Sequence, residues 1–269
     1  MDVITNIDLV AKTEHSTISK TEHNGQVAVV KRSLRRDSQT TARFAQEVSL
    51  LESAGSHRNI TTLLGSSSDD LSIILTYHPG RALSDIIDDN TKRCTLTPSD
   101  GAKIFTQISS ALAFLHGKNI MHDDVKPENI VYDPHAQNAV LVDFGAALRA
   151  EEDGTVEFNP SGTPPYAPPE FLQRRKSMKG DVWAFGVSML FVMGYIRLPD
   201  GEWILPYVFE DVEMKEEMET WLQEVESWRE KARRDQIENV LGEMLESEPE
   251  KRIYSLELCR LLAGEAVMD

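Results

Sequence analysis

A chain of 269 residues with 41% hydrophobic content can fill the core of one large domain or of two closely packed lobes. Its 28 basic and 44 acidic residues give a net charge of −16, which repels phosphodiester backbones and anionic lipid. The composition therefore argues against nucleic acid as a partner and against a disordered or fibrous protein.

Cysteine usage and hydropathy point to an intracellular protein. Cys94 and Cys259 lie far apart and fit no metal or disulfide spacing, which is typical of a reducing compartment. The N-terminal residues lack the basic leader and apolar core of a signal peptide. The most apolar stretch, residues 182–196, is shorter than a membrane span and contains two glycines, so we expect a buried helix there. These features predict a cytoplasmic or nuclear protein with no membrane attachment.

The first part of the chain is predicted to be rich in strands. Three runs are expected to be strands: residues 27–31, 60–64 and 71–76. Between the first two, residues 40–54 are predicted to form a helix that ends at Gly55. Phe44, Val48 and Leu51 share one face of this helix, so that face should pack on the sheet.

Beyond Pro79-Gly80 the sequence becomes mainly helical. Thr97 is a favourable cap and Pro98 a favourable first residue for a helix that extends to Gly117. The chain thus divides into a small strand-rich part before about Tyr77 and a larger helical part after it. A cleft between the two parts is the natural place for a ligand.

Residues 122–130, His-Asp-Asp-Val-Lys-Pro-Glu-Asn-Ile, carry the groups needed for phosphoryl transfer. Asp124 can orient a hydroxyl and accept its proton, while Lys126 can stabilise charge on the transferred group. The amide oxygen of Asn129 suits Mg²⁺, and Asp143, in Asp-Phe-Gly, can bridge that metal to phosphates. Residues 130–132 and 140–142 are predicted to form a hairpin that returns both metal ligands to one place.

Each of these pieces has a simpler interpretation when it is taken alone. Asp-Phe-Gly occurs by chance, Asp123-Asp124 could be a solvated acidic turn, and a single His122 is more often a satisfied core histidine than a catalytic one. Their combination, with a hairpin between them, favours a catalytic site.

The chain resembles the eukaryotic protein kinases over nearly its whole length. Val29-Val30-Lys31 is similar to the third-strand motif of that family, whose lysine holds the α and β phosphates of ATP and pairs with a helix glutamate, here Glu47. The resemblance implies that Leu75 is the gatekeeper and that the hinge follows it. The residues it assigns to nucleotide binding are Lys31, Glu47, Val29, Leu75, Thr76, Tyr77, His78 and Val131.

The second half of the chain extends the resemblance. Residues 162–170 are similar to the end of a kinase activation segment, with Pro168 in place of the usual alanine. In the serine/threonine branch, a threonine in this segment bonds the catalytic aspartate and lysine, which assigns Thr163 to Asp124 and Lys126. Residues 181–186 resemble the helix that anchors the catalytic loop, and Arg252 resembles the arginine that salt-bridges Glu170.

The resemblance implies an α+β, bilobal fold for one kinase domain over residues 1–269. A small N-terminal lobe with an antiparallel β-sheet and one helix covers about residues 1–76, the hinge about 76–80, and a larger, mainly α-helical C-terminal lobe about 81–269. The implied activity is transfer of the ATP γ-phosphoryl group to a serine or threonine hydroxyl of a protein. Mg²⁺ or Mn²⁺ would assist, with Asn129 and Asp143 as ligands. The acidic surface favours a basic substrate.

The sequence departs from the family at the phosphate-binding loop. Residues 9–21, where the glycine-rich loop should lie, contain no glycine, so backbone amides cannot approach phosphates unhindered. Side chains such as Lys12, Ser16 and Thr17 could substitute, or nucleotide affinity could be weak. Val29 replaces a smaller alanine above the adenine pocket.

Asp123 is a further departure, because kinases switched by loop phosphorylation carry an arginine there. A carboxylate would repel the phosphate, which predicts activity independent of phosphorylation at Thr155 or Ser161. Acidic residues at 151–153 and 157 could stand in for phosphate or could simply be solvated. The missing glycines and Asp123 leave open an alternative, a pseudokinase that acts as a nucleotide-binding or allosteric scaffold.

One late stripe matches no family motif. Trp221, Val225 and Trp228 share a helical face within the charged region 213–234. Most such stripes pack on their own domain, and docking of a partner protein is the alternative.

Overall fold

The computed structural model describes residues 6–12, 15–201, 203–232 and 239–264. Its N-terminal lobe is built on five strands: β1 (Asn6–Lys12), β2 (Ser16–His23), β3 (Gln26–Ser33), β4 (Leu63–Ser67) and β5 (Ser72–Thr76). They pair antiparallel in the order β1-β2-β3-β5-β4. Ala28 and Val30 of β3 are buried, so the alternation of a strand places Val29 and Lys31 together on its other face. That face borders the cleft.

The helix of this lobe, α1 (Ser38–Ala54), begins two residues before its predicted start because Asp37 caps it. The Asp37 carboxylate accepts a hydrogen bond from Thr40 N at 2.7 Å. Gly55 ends the helix with a φ of 67°, which costs little without a side chain. The helix buries Leu50 and Leu51 against the sheet.

The strand predicted over residues 60–64 is wrong in its position. The β4 strand begins only at Leu63, whereas Ile60 forms an isolated bridge to Leu141 of the C-terminal lobe. Thr61 N donates to Leu141 O at 3.0 Å, and Leu141 N donates to Asn59 O at 2.9 Å. Ile60 is buried as its hydrophobicity indicates, but its backbone joins the two lobes instead of extending the sheet.

The C-terminal lobe contains five helices among the described residues: α2 (Pro98–His116), α3 (Lys179–Val192), α4 (Val212–Ala232), α5 (Asn239–Met244) and α6 (Ser255–Leu262). Thr97 and Asp100 form a reciprocal capping box at the start of α2. All 14 residues of α3 are buried, which confirms a buried helix in the most apolar stretch. No helix in the described ranges is long and apolar enough to cross a membrane.

Short strands position the segments of this lobe that carry the predicted site residues: β6 (Arg81–Ala82), β7 (Ile120–Met121), β8 (Ile130–Asp133), β9 (Asn138–Leu141) and β10 (Leu148–Arg149). The predicted hairpin is β8-β9, with β6 beside β8, and β7 pairs with β10. Gly80, at the hinge, has a φ of 123°, and a Cβ there would collide with the backbone of Tyr132. Glycine is therefore required where the chain leaves the N-terminal lobe.

The observed architecture confirms the α+β, bilobal prediction. One core cluster runs from Leu50 and Ile73 in the small lobe to Leu112 and Phe185 in the large one, so the lobes share a continuous apolar contact. Parts of the predicted domain range, namely residues 1–5, 13–14, 202, 233–238 and 265–269, lie outside the described residues.

The aromatic stripe of α4 packs on its own lobe. Val225 is 1% exposed, and Trp221 and Trp228 are half-buried against the core. Trp221 Nε1 donates to Pro165 O at 2.7 Å, and the Trp228 ring lies 5.8 Å from that of Tyr195. These contacts account for the stripe without a docked partner.

Candidate active site

Lys31 lies between two carboxylates at the inner end of the cleft. Its Nζ donates to Glu47 Oε1 at 2.8 Å and to Asp143 Oδ1 at 2.7 Å. Burial alone would lower the pKa of Lys31, but Asp143 and Glu47 outweigh it and raise that pKa above its usual value. Burial alone would also raise the pKa of Asp143, but the Lys31 ammonium lowers it to about 2. Strand β3, helix α1 and the Asp-Phe-Gly segment thus meet at one fixed ammonium group.

The catalytic loop is held from below by Asp181 of α3. Asp181 Oδ2 accepts from His122 N at 2.8 Å, and Oδ1 accepts from Asp123 N at 2.9 Å. Asp123 has a φ of 62°, a left-handed conformation that is costly for a non-glycine residue and needs such support. His116 Nε2 lies 2.9 Å from Asp181 Oδ2, which orients the carboxylate. The loop is therefore fixed by buried polar contacts.

Asp124, the predicted base, lies in a cluster of polar side chains. Thr163 Oγ1 donates to Asp124 Oδ1 at 2.6 Å, and Lys126 Nζ donates to Thr163 Oγ1 at 2.7 Å. Lys126 Nζ is also 2.9 Å from Asp124 Oδ2. The structure brings these three residues together, and the resulting carboxylate is oriented next to a cation.

Asn129 and Asp143 meet at the open end of the β8-β9 hairpin, where Val142 N donates to Asn129 O at 2.9 Å. Asn129 Nδ2 donates to Asp124 O at 2.8 Å and to Asp124 Oδ2 at 2.9 Å, so its amide oxygen is directed away from Asp124. Asp143 uses Oδ1 for Lys31 and for Gly145 N at 3.1 Å, which leaves Oδ2 for a metal. One amide and one carboxylate oxygen fit Mg²⁺, which keeps several waters of its own.

A cavity of about 410 Å³ collects the residues expected to act on phosphates. Its lining includes Lys31, Glu47, Asp124, Lys126 and Asp143. The sequence reasoning did not single out Arg35 and Arg43, which also line it. Their only signal in the sequence was their place just before and within α1.

The residues expected around adenine lie apart from this cavity. Val29 and Leu75 are direct partners across β3 and β5, and Val131 pairs with Ala82. Thr76 Oγ1 and His78 Nε2 are 2.8 Å apart, and Lys20 Nζ lies 4.7 Å from the centre of the Tyr77 ring. The hinge is thus ordered by its own contacts, while its role in binding a nucleotide stays a prediction.

The surroundings of Asp123 were not foreseen from the sequence. Lys176 Nζ lies 2.8 Å from Asp123 Oδ1 and 2.7 Å from Oδ2, and both side chains are only 4% exposed. Burial raises the pKa of Asp123 and lowers that of Lys176, while each partner's charge opposes the shift. The acidic residues at 151–153 and 157 are exposed, as expected for a solvated loop.

Arg252 and Glu170 form a second buried ion pair below the activation segment. Arg252 Nη1 donates to Glu170 Oε1 at 2.7 Å and Nη2 donates to Oε2 at 2.9 Å, and the two side chains are 0% and 2% exposed. This bidentate pair ties the end of the segment to the last helices of the lobe.

The chain was compared with known proteins. Residues 14–261 match the family model described as the protein kinase domain. Maternal embryonic leucine zipper kinase of Xenopus tropicalis is 32% identical over 67% of this chain and 26% of its own length. Serine/threonine-protein kinase ppk34 of Schizosaccharomyces pombe is 32% identical over 56% of this chain and 44% of its own length. U-box domain-containing protein 70 of Oryza sativa subsp. japonica is 35% identical over 58% of this chain and 21% of its own length.

These alignments span less than half the length of each relative. The family model, in contrast, covers most of the chain, including both lobes and every polar residue of the cleft described above. The chain belongs to the protein kinase family.

Proposed function

We propose that the chain is an active serine/threonine protein kinase that transfers the γ-phosphoryl group of ATP to a protein hydroxyl. The observation that carries this proposal is the joint presence of two arrangements of polar side chains. Lys31 bonds both Glu47 and Asp143, and Thr163 bonds both Asp124 and Lys126. A scaffold that only binds partners has no physical need to keep both.

The residues divide the reaction between them. Asp124 orients the attacking serine or threonine hydroxyl and accepts its proton. Lys126 and Lys31 stabilise negative charge on the transferred group and on the remaining phosphates. Asn129 and Asp143 hold Mg²⁺, or Mn²⁺ in its place. When bound, the metal–nucleotide complex would supply the phosphoryl group to be transferred, with its negative charge partly neutralised by the metal. The net charge of −16 favours encounter with basic protein substrates.

Activity should not depend on activation-loop phosphorylation. Asp123 is already neutralised by Lys176, so no basic group faces the segment from that position to receive a phosphate. Thr155 is exposed, and its hydroxyl donates to Asp153 Oδ1 at 2.7 Å within its own turn. We therefore propose that unphosphorylated protein is competent.

The second candidate is a pseudokinase scaffold, which the glycine-free residues 9–21 favour. A titration of thermal stability with ATP and Mg²⁺, beside phosphate transfer by wild type and Asp124→Asn, separates the two. The enzyme should be stabilised by ATP, and Asp124→Asn should lose about 10²- to 10⁴-fold in rate while still binding ATP. Asp89→Asn, an exposed change in a turn, is the matched control. Absence of transfer by wild type would contradict the proposal.

A further inference from the structure

Asp123 and Lys176 form a buried ion pair that the catalytic steps do not use. Lys176 Nζ contacts both carboxylate oxygens of Asp123, Asn159 Oδ1 at 2.9 Å, Ser161 O at 3.0 Å and Ser161 Oγ at 2.9 Å. Ser161 Oγ in turn donates to Asp123 Oδ2. The Lys176 ammonium and both carboxylate oxygens of Asp123 have partners, so neither buried charge is left uncompensated.

The cluster joins three separate stretches of chain. Asp123 precedes the catalytic Asp124 and is fixed to α3 through Asp181. Asn159 and Ser161 belong to the activation segment just before Thr163, whose hydroxyl bonds Asp124. Lys176 follows that segment and leads into α3. Its ammonium group therefore fastens the segment to the catalytic loop next to the catalytic contact.

Which side of this ion pair carries which charge determines what group can hold the segment in place. Here the loop supplies the carboxylate, and the chain beyond the segment supplies the cation. Both charges that hold the segment against the loop are thus supplied by side chains of the protein itself. A phosphate added at Ser161 would compete with Asp123 for Lys176.

We propose that Lys176 is a positioning residue, whose ion pair with Asp123 holds residues 159–163 against the catalytic loop and keeps Thr163 bonded to Asp124 without phosphorylation. The proposal rests on the proposed kinase function for its effect on rate, but the holding of the segment can be measured without catalysis. The ion pair fixes the position of the segment more than it stabilises the fold. The attraction between two buried charges is largely offset by the cost of removing them from water.

The test uses the full chain and four variants. Lys176→Met and Asp123→Asn each remove one charge, Asp123→Asn/Lys176→Met removes both, and Asp123→Lys/Lys176→Asp reverses the pair. Arg175→Met is the matched control, because Arg175 is adjacent in sequence but pairs with Glu250 at the surface. Hydrogen exchange of residues 155–163 and limited proteolysis report on the segment, and kcat and ATP affinity report on catalysis.

We expect each single variant to raise exchange in the segment and to lower kcat about tenfold or more, with ATP affinity within about twofold of wild type. The neutral double variant should fold, since it leaves no unpaired buried charge, yet exchange faster in the segment. The reversed pair should recover most of the protection, which a role in general folding would not predict.

Wild-type protection and kcat in Lys176→Met, or in the double variant if the single one does not fold, would overturn the proposal. Equal loosening in Arg175→Met would also overturn it. If wild type transfers no phosphate, the proposed function fails, but the exchange of the segment still decides whether the ion pair holds it.

Discussion

The two ends of the cleft are built in different ways. At the predicted catalytic end, Asp123 and Arg252 lie in buried ion pairs, and the buried Asp181 carboxylate accepts hydrogen bonds from the backbone of the loop. At the phosphate end, residues 9–21 of strands β1 and β2 contain no glycine, and the cavity beside Lys31 is lined in part by exposed, polar side chains such as Arg43. If the chain is the kinase proposed above, this difference means that its catalytic groups are preorganised and that nucleotide binding is the weaker part of the site.

Removing a buried ion pair from the catalytic end should have the largest effect, on the free energy of unfolding. Arg252→Met leaves the Glu170 carboxylate buried without its partner, so we expect the free energy of unfolding to fall by about 3–5 kcal/mol. Urea denaturation measures it. Arg175→Met, which removes a surface pair with Glu250, should cost less than about 1 kcal/mol. Similar losses in both variants would contradict the difference drawn between buried and exposed pairs.

Removing the ammonium group between the two ends should have the next largest effect, on rate. Lys31→Met deletes a cation that bonds both Glu47 and Asp143, and we expect kcat to fall by about 10²- to 10³-fold. Steady-state kinetics with a peptide substrate measures this. Lys118→Met, an exposed lysine outside the cleft, is the control and should keep wild-type kcat. Retention of activity by Lys31→Met would mean that another group holds the phosphates.

Adding charge at Ser161 should have a smaller effect. Ser161→Glu places a second carboxylate beside Asp123 and competes for Lys176, so we expect kcat to fall about tenfold. Ser161→Ala removes the hydroxyl without adding charge and should lose less. Kinetics of the two variants in parallel separates charge from hydrogen bonding. A gain in activity for Ser161→Glu would show that the segment is closed by phosphate after all.

Improving the phosphate end of the cleft should have the smallest effect, on the KM for ATP. His15→Gly removes a side chain that lines the cavity beside Lys31. Backbone amides could then approach the phosphates of ATP more closely, which should lower the KM for ATP. We expect less than about a tenfold change, since one added hydrogen bond contributes about 0.5–1.5 kcal/mol. The same measurement on Glu52→Gly, an exposed residue of α1 outside this cavity, controls for flexibility. A raised KM for His15→Gly would show that the imidazole itself assists binding.

The sequence predicted what is encoded locally. Thr97 and Pro98 predicted the start of α2, Gly55 predicted the end of α1, and the strand patterns at 130–132 and 140–142 predicted a hairpin with polar ends. Caps, turns and alternation act over a few residues, so a sequence shows them directly. It failed at Ile60, where an apolar run predicts burial but not which lobe supplies the hydrogen bonds.

The partner of Asp123 could not be predicted for a related reason. Lys176 is far away in sequence, directly follows two other basic residues, Arg174 and Arg175, and carries no periodic or capping signal. Its selection depends on how the activation segment returns to the catalytic loop in three dimensions. The Asp123 carboxylate alone suggested repulsion of a phosphate, and only the fold reveals the cation, Lys176, that pairs with it.

The most direct test of the account measures kcat and the KM for ATP of protein kept free of phosphate by a co-expressed phosphatase. We predict transfer to serine or threonine with a kcat of about 1–100 s⁻¹, an ordinary value for a kinase. The KM for ATP should reach about 1 mM or more, at the upper end of the usual range, because of the glycine-free loop. No transfer at saturating ATP and Mg²⁺, or transfer that begins only after the activation segment is phosphorylated, would contradict the account.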